Sequence, residues 1–130
     1  QKGVGMTDAL AQRVLDTVRA RFGADGVQAL IIYLDGTLRC AGAHFPIGDI
    51  VIAMPWDGYL AFVDAEPGVN WGHACAYLAV QRDGVETAWF SAQMPPFLKG
   101  GGASFRELWC GPHAPRWAVA TNGIEPHEPG

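Results

Sequence analysis

The sequence predicts an α+β fold, with an N-terminal amphipathic helix packed on a mainly antiparallel β-sheet, a meander of about six to eight strands. Three observations carry that prediction. Apolar residues recur at helical spacing only between Leu10 and Phe22, and from Val27 onward short runs rich in β-branched and aromatic residues follow one another. Each run ends in turn chemistry, and two of the turns are Asp-Gly hairpin signals, at Asp35-Gly36 and Asp83-Gly84.

Leu10, Val14, Val18 and Phe22 lie every four residues with Ala11 and Leu15 beside them, while Gln12, Arg13, Asp16 and Arg19 fall on the other side. This spacing predicts an amphipathic helix whose stripe must pack on sheet. Thr7 is placed to cap its start, Asp8 favours the positive helix end, and Arg19 and Arg21 favour the negative end. Gly23 supplies the stop by taking a left-handed conformation.

Val27–Leu34 and Thr37–Ala41 flank Asp35-Gly36 and predict a hairpin in which Ile31 faces Cys40 and Tyr33 faces Leu38. A second hairpin turns around Asp83-Gly84. Its register pairs Leu78 with Trp89, Val80 with Thr87, Tyr77 with Phe90 and Gln81 with Glu86, which makes it a central pair covered on both faces. Asp49–Met54 and Tyr59–Asp64 read as two further strands around the turn Pro55–Gly58, and Phe105–Trp109 and Arg116–Ala120 as short closing strands. Pro95-Pro96 and the glycines 100–102 predict a mobile loop.

A chain of 130 residues that is 49% hydrophobic and 17% charged falls outside the composition of disordered proteins and matches one domain. Its expected bounds are residues 6–122, with residues 1–5 an expression scar ahead of Met6 and residues 123–130 a flexible tail. The net charge of −4 argues against nucleic acid as a partner, because phosphate binding is driven by lysine and arginine. The longest apolar runs, such as Ala74–Val80, are far shorter than the roughly 20 residues that cross a bilayer, and the charged first helix is unlike a signal peptide. The expectation is a cytoplasmic protein of bacterial style with no membrane contact. Cys40, Cys75 and Cys110 are odd in number and lack zinc spacing, so free thiols are expected in place of disulfides.

The most distinctive stretch is the polar loop from Asp64 to Gly72 that runs into His73-Ala74-Cys75. Strand alternation puts His73, Cys75 and Tyr77 on one face, but at a separation of about 7 Å between side chains two apart, which is too far for His73 to activate Cys75 directly. Cys40, brought from elsewhere, is the better partner for a thiolate–imidazole pair. Pro46-Ile47-Gly48-Asp49-Ile50-Val51-Ile52, followed by Gly72-His73-Ala74-Cys75-Ala76-Tyr77-Leu78, resembles the order found in papain-like cell-wall amidases of the CHAP and NlpC type. The resemblance implies that His73 is a catalytic base, oriented by Ser91 or Gln93. It departs from those enzymes at the nucleophile, which they set at a helix start, whereas the helix predicted here holds no cysteine.

His44, His73, Asp64 and Glu66 could instead converge on a metal such as zinc or iron, although none has ligand-pair spacing. Trp89, Trp109 and Trp117 fall at strand positions expected in the core, while Trp56 and Trp71 lie in turns. Without a complete catalytic set or cofactor fingerprint, the leading expectation is a non-catalytic binding or accessory domain that needs no cofactor. It would hold a protein partner, or a copy of itself, through the 64–73 and 94–103 loops, with Trp71, Asn70, Asp64, Glu66 and Tyr77 as binding residues. A cysteine hydrolase using His73 with Cys40 or Cys75 is the alternative, and a His/carboxylate metal-binding protein the third.

Overall fold

A computed structural model describes residues 6–69, 72–97 and 104–120. The expectations for residues 1–5, Asn70, Trp71, the glycines 100–102 and the tail after residue 120 lie outside these described residues.

Helix α1 (Met6–Gly26) is followed by β1 (Ile31–Arg39), β2 (His44–Ile47), β3 (Ile50–Ala53), β4 (Gly58–Asp64), β5 (Cys75–Gln81), β6 (Thr87–Ala92) and β7 (Phe105–Cys110). Five strands form one antiparallel sheet in the order β6-β5-β4-β1-β7, and β2 and β3 form a separate two-stranded ribbon. The α+β architecture and antiparallel pairing are those the sequence predicts. Among the described residues no helix is long and apolar enough to cross a membrane.

The sheet is covered on both sides. Leu10, Val14 and Val18 of α1 pack with Ile32, Ala61, Val63, Leu78 and Val80 on one face. On the other, Tyr33, Phe62 and Tyr77 meet Ile47 and Ile52 of the ribbon together with Phe97, Ala118 and Ala120. That second face is aromatic, with the Phe62 ring 4.9 Å from Tyr77 and the Phe97 ring 4.9 Å from Tyr33. Burial on both faces explains why β4 and β5 read as near-continuous apolar runs. β4 opens on glycine because a Cβ at Gly58 would lie 2.3 Å from the Val80 carbonyl oxygen.

The structure corrects several expectations. Asp35-Gly36 is no hairpin turn: β1 runs through it as one strand, pairing Ile31 with Asp64 and Cys110, and Tyr33 with Phe62 and Glu107. Gly36 lacks the positive φ such a turn requires, and the Asp35 carboxylate accepts a bond from the Thr37 amide (2.9 Å), which shapes a register shift inside the strand. The second hairpin keeps its predicted register, but only β5 is doubly covered, while β6 is an edge strand. Residues 50–53 pair with β2, turning at Gly48 (φ 56°), instead of continuing the meander. Arg116–Ala118 is a 3₁₀ turn where a strand was expected. Gly23 has a positive φ as expected (85°), but with ψ 164°, an extended region that only glycine occupies. One more helical turn follows to Gly26. The helix already includes Met6, so position 7 lies within it and not at the flanking cap position expected for it.

Candidate functional site

The 64–73 loop joins β4 to β5, whose first paired residues are Asp64 and Cys75. Along β4, Leu60, Phe62 and Asp64 share the aromatic face of the sheet, so the strand delivers the Asp64 carboxylate to the buried end of that face. There His73 Nε2 lies 2.7 Å from Asp64 Oδ1, with both side chains 3% exposed. The same carboxylate oxygen accepts the Glu66 amide at 3.1 Å, and Glu66 Oε1 in turn accepts the Ala74 amide at 3.2 Å. The loop is therefore closed at its base by its own acids, and the Gly72 amide ties it to the Gln93 carbonyl at 3.1 Å. Gly68 (φ 90°) lets the loop turn against Pro115 and Trp117.

The acids and thiol at this end are tuned by burial. Asp64 is raised above its ordinary range, chiefly by desolvation, with the hydrogen bond and charge of His73 pulling the other way. Cys75 is pushed up to about 12 by burial and by the neighbouring Asp64 charge, and its thiol donates to the Met94 carbonyl at 3.6 Å. Tyr77 donates to the same carbonyl at 2.9 Å, and burial raises its hydroxyl as well.

The structure separates the groups a hydrolase would need. Arg39 stands beside Gly58 at one end of the sheet and Ile31 beside Asp64 at the other, so Cys40 and His73 are on the order of 20 Å apart along the strands. Cys40 is exposed in the turn that follows β1. Cys75 is near His73, but its high pKa keeps it a thiol at neutral pH, the opposite of an activated nucleophile. The carboxylate beside His73 is Asp64, where the resemblance implied Ser91 or Gln93. His44 belongs to the ribbon, away from His73, and among the described residues no three His, Cys, Asp or Glu side chains group as a metal would require. Of the expected binding residues, Asp64 and Tyr77 are buried and hold the frame, Glu66 is exposed, and Asn70 and Trp71 are outside the described residues.

The sequence reading missed the adjoining cleft. An open cavity of about 680 Å³ lies at the same end of the sheet, bordered by Arg21 and Phe22 of α1, Asp49 in the turn of the ribbon and Ile50 of β3, Ala92 at the end of β6, and Met94 beyond it. Cys75 reaches its wall. Ile50 and Val51 remain 38% and 58% exposed, and Val69 on the loop 54%. The apolar run Ile50-Val51-Ile52 was the available signal: on an edge ribbon only alternate residues can be buried, and Ile52 is the one that is.

Comparison with protein-family models, with curated proteins and with solved structures finds no match to this chain.

Proposed function

We propose that this domain is a non-catalytic binding module, which takes an apolar segment of a protein partner into the cleft beside the 64–73 loop. The observation that carries this reading is the contrast within one end of the sheet. The groups able to do chemistry there, His73, Asp64 and Cys75, are buried and bonded to the frame, while the open cavity is bordered by apolar side chains, among them the exposed Ile50 together with Ala92 and Met94. Arg21 and Asp49 give that cavity one charge of each sign, enough to orient a segment without selecting a highly charged one. Three free cysteines, one of them buried, fit a reducing compartment, and we place the protein in the cytoplasm on that ground.

The test is affinity capture from an extract of its source cells with the intact chain, Ile50→Asp and Trp71→Ala, followed by titration of the isolated partner. The expected result is one partner held in stoichiometric amount by the wild-type chain, with binding weakened at least about tenfold by Ile50→Asp, equivalent to about 1.4 kcal/mol. A partner retained equally by all three proteins, or none retained by the wild type, would refute the reading.

A further inference from the structure

On the helix side, the rim of the cleft is a cluster of three side chains. Trp89 of β6 and Phe22 of α1 meet edge to face with ring centroids 6.1 Å apart, and the Arg21 guanidinium lies over the same indole, 4.6 Å from its centroid. Arg21 and Phe22 both border the cavity. Elsewhere in the chain Arg19, Arg39, Arg82 and Arg116 each pair with a carboxylate, Arg13 donates to the Gln81 carbonyl, and Arg106 is engaged as well. Arg21, exposed, makes no hydrogen bond or ion pair among the described residues. The backbone explains why. Asp25 stands four positions on, where a continuous helix would bring it alongside, but Gly23 (φ 85°, ψ 164°) breaks the turn between them. A guanidinium stacked on a ring keeps its in-plane N–H donors free, and their fork fits a carboxylate.

We infer, on the reading that the cleft is the binding site, that the segment it takes up carries a single carboxylate among apolar residues and that Arg21 grips that carboxylate. Charge complementarity calls for one acid and disfavours more. Asp49 borders the same cavity from the ribbon, on the opposite face of the sheet from α1, and it too makes no hydrogen bond or ion pair among the described residues. A second acid on the segment would approach Asp49 and be repelled, and a segment with no acid would gain nothing from Arg21. The rest of the wall is largely apolar, with Phe22, Ile50, Ala92 and Met94, and suits aliphatic or aromatic side chains. The indole under Arg21 fixes the guanidinium before the partner arrives, so less side-chain entropy is lost on binding.

Panning of a random heptapeptide library on the intact chain reads this preference directly. The wild type is expected to enrich apolar heptapeptides with one Asp or Glu, Arg21→Glu to enrich apolar heptapeptides with one Lys or Arg, and Ile50→Asp to enrich neither. Arg21 is exposed, so its replacement spares the core, and thermal unfolding confirms that each variant folds. Replacing the acid of the leading peptide by its amide should weaken binding to the wild type about three- to tenfold and leave binding to Arg21→Gln unchanged. Apolar peptides selected without an acid, or with the same acid by the wild type and Arg21→Glu, would overturn the role of Arg21 and leave the cleft standing. Failure of the wild type to select apolar peptides at all, or selection equal to that of Ile50→Asp, would refute the cleft and the role of Arg21 together.

Discussion

Two aspartates buried on the aromatic face, one at each end of the sheet, are satisfied by the same device with different partners. Asp35 accepts the Thr37 amide and pairs with Arg39 Nη2 at 2.5 Å, and Asp64 accepts the Glu66 amide and pairs with His73 Nε2 at 2.7 Å. The amide two residues ahead is bonded in each case, because an aspartate that ends a run of pairing can cap its own chain. The partners set the two ends apart. A guanidinium keeps its charge and stacks, and Arg39 lies 4.5 Å over the Phe45 ring, locking the ribbon to β1. The His73 imidazole meets its aspartate through Nε2, and the end it holds is the one beside the open cleft. The Asp35 end is fixed structure, and the Asp64 end is structure on which a surface is mounted.

The largest effect is expected at the fixed end. Arg39→Met leaves the fully buried Asp35 carboxylate without its cation and should cost about 3–5 kcal/mol in urea-monitored unfolding. A loss below about 1 kcal/mol would mean that the Asp35 end is not locked by charge. Next comes His73→Ala, which removes the hydrogen-bond partner of Asp64 and should cost about 1–3 kcal/mol by the same measurement. Equal losses for the two variants would erase the distinction between the ends.

The pH dependence sharpens the comparison. Asp64 in the folded chain is raised above its ordinary value of 3.8, so between that value and its folded value the native state holds a proton that the unfolded chain has released. Stability must therefore fall as pH rises from 3.8 through the folded value, and level off above it. Asp64→Asn removes this contribution, and the difference between wild-type and variant unfolding free energies should show the slope. A difference that grows in favour of the wild type with rising pH would reverse the sign assigned to Asp64.

How much of this was legible in the sequence depends on the range of the interaction. The α1 stripe and the β5–β6 register follow local periodicity, and both were readable because neighbouring residues set them. Asp35-Gly36 misled for a long-range reason: Arg39 and β4 hold the segment extended, and a dipeptide cannot report the strand that lies beside it. The ribbon was missed in the same way, since His44–Ile47 holds a proline and carries no strand signal apart from its partner β3. At the site, His73 stood out, but its tie to Asp64 required knowing that β4 and β5 are neighbours, with Asp64 opposite Cys75. The cleft needed α1 and the ribbon to meet at one end of the sheet, which only the tertiary fold supplies.

The central claim is that the His73 end carries a binding surface and no activated thiol, and timed iodoacetamide labelling of the folded wild-type chain at neutral pH, mapped by peptide mass, tests it most directly. Cys40, exposed, should be modified at the rate of an ordinary accessible thiol, and Cys75, buried and pushed up to about 12, should stay unmodified until the chain is unfolded. Rapid modification of Cys75 in the folded protein would contradict the account.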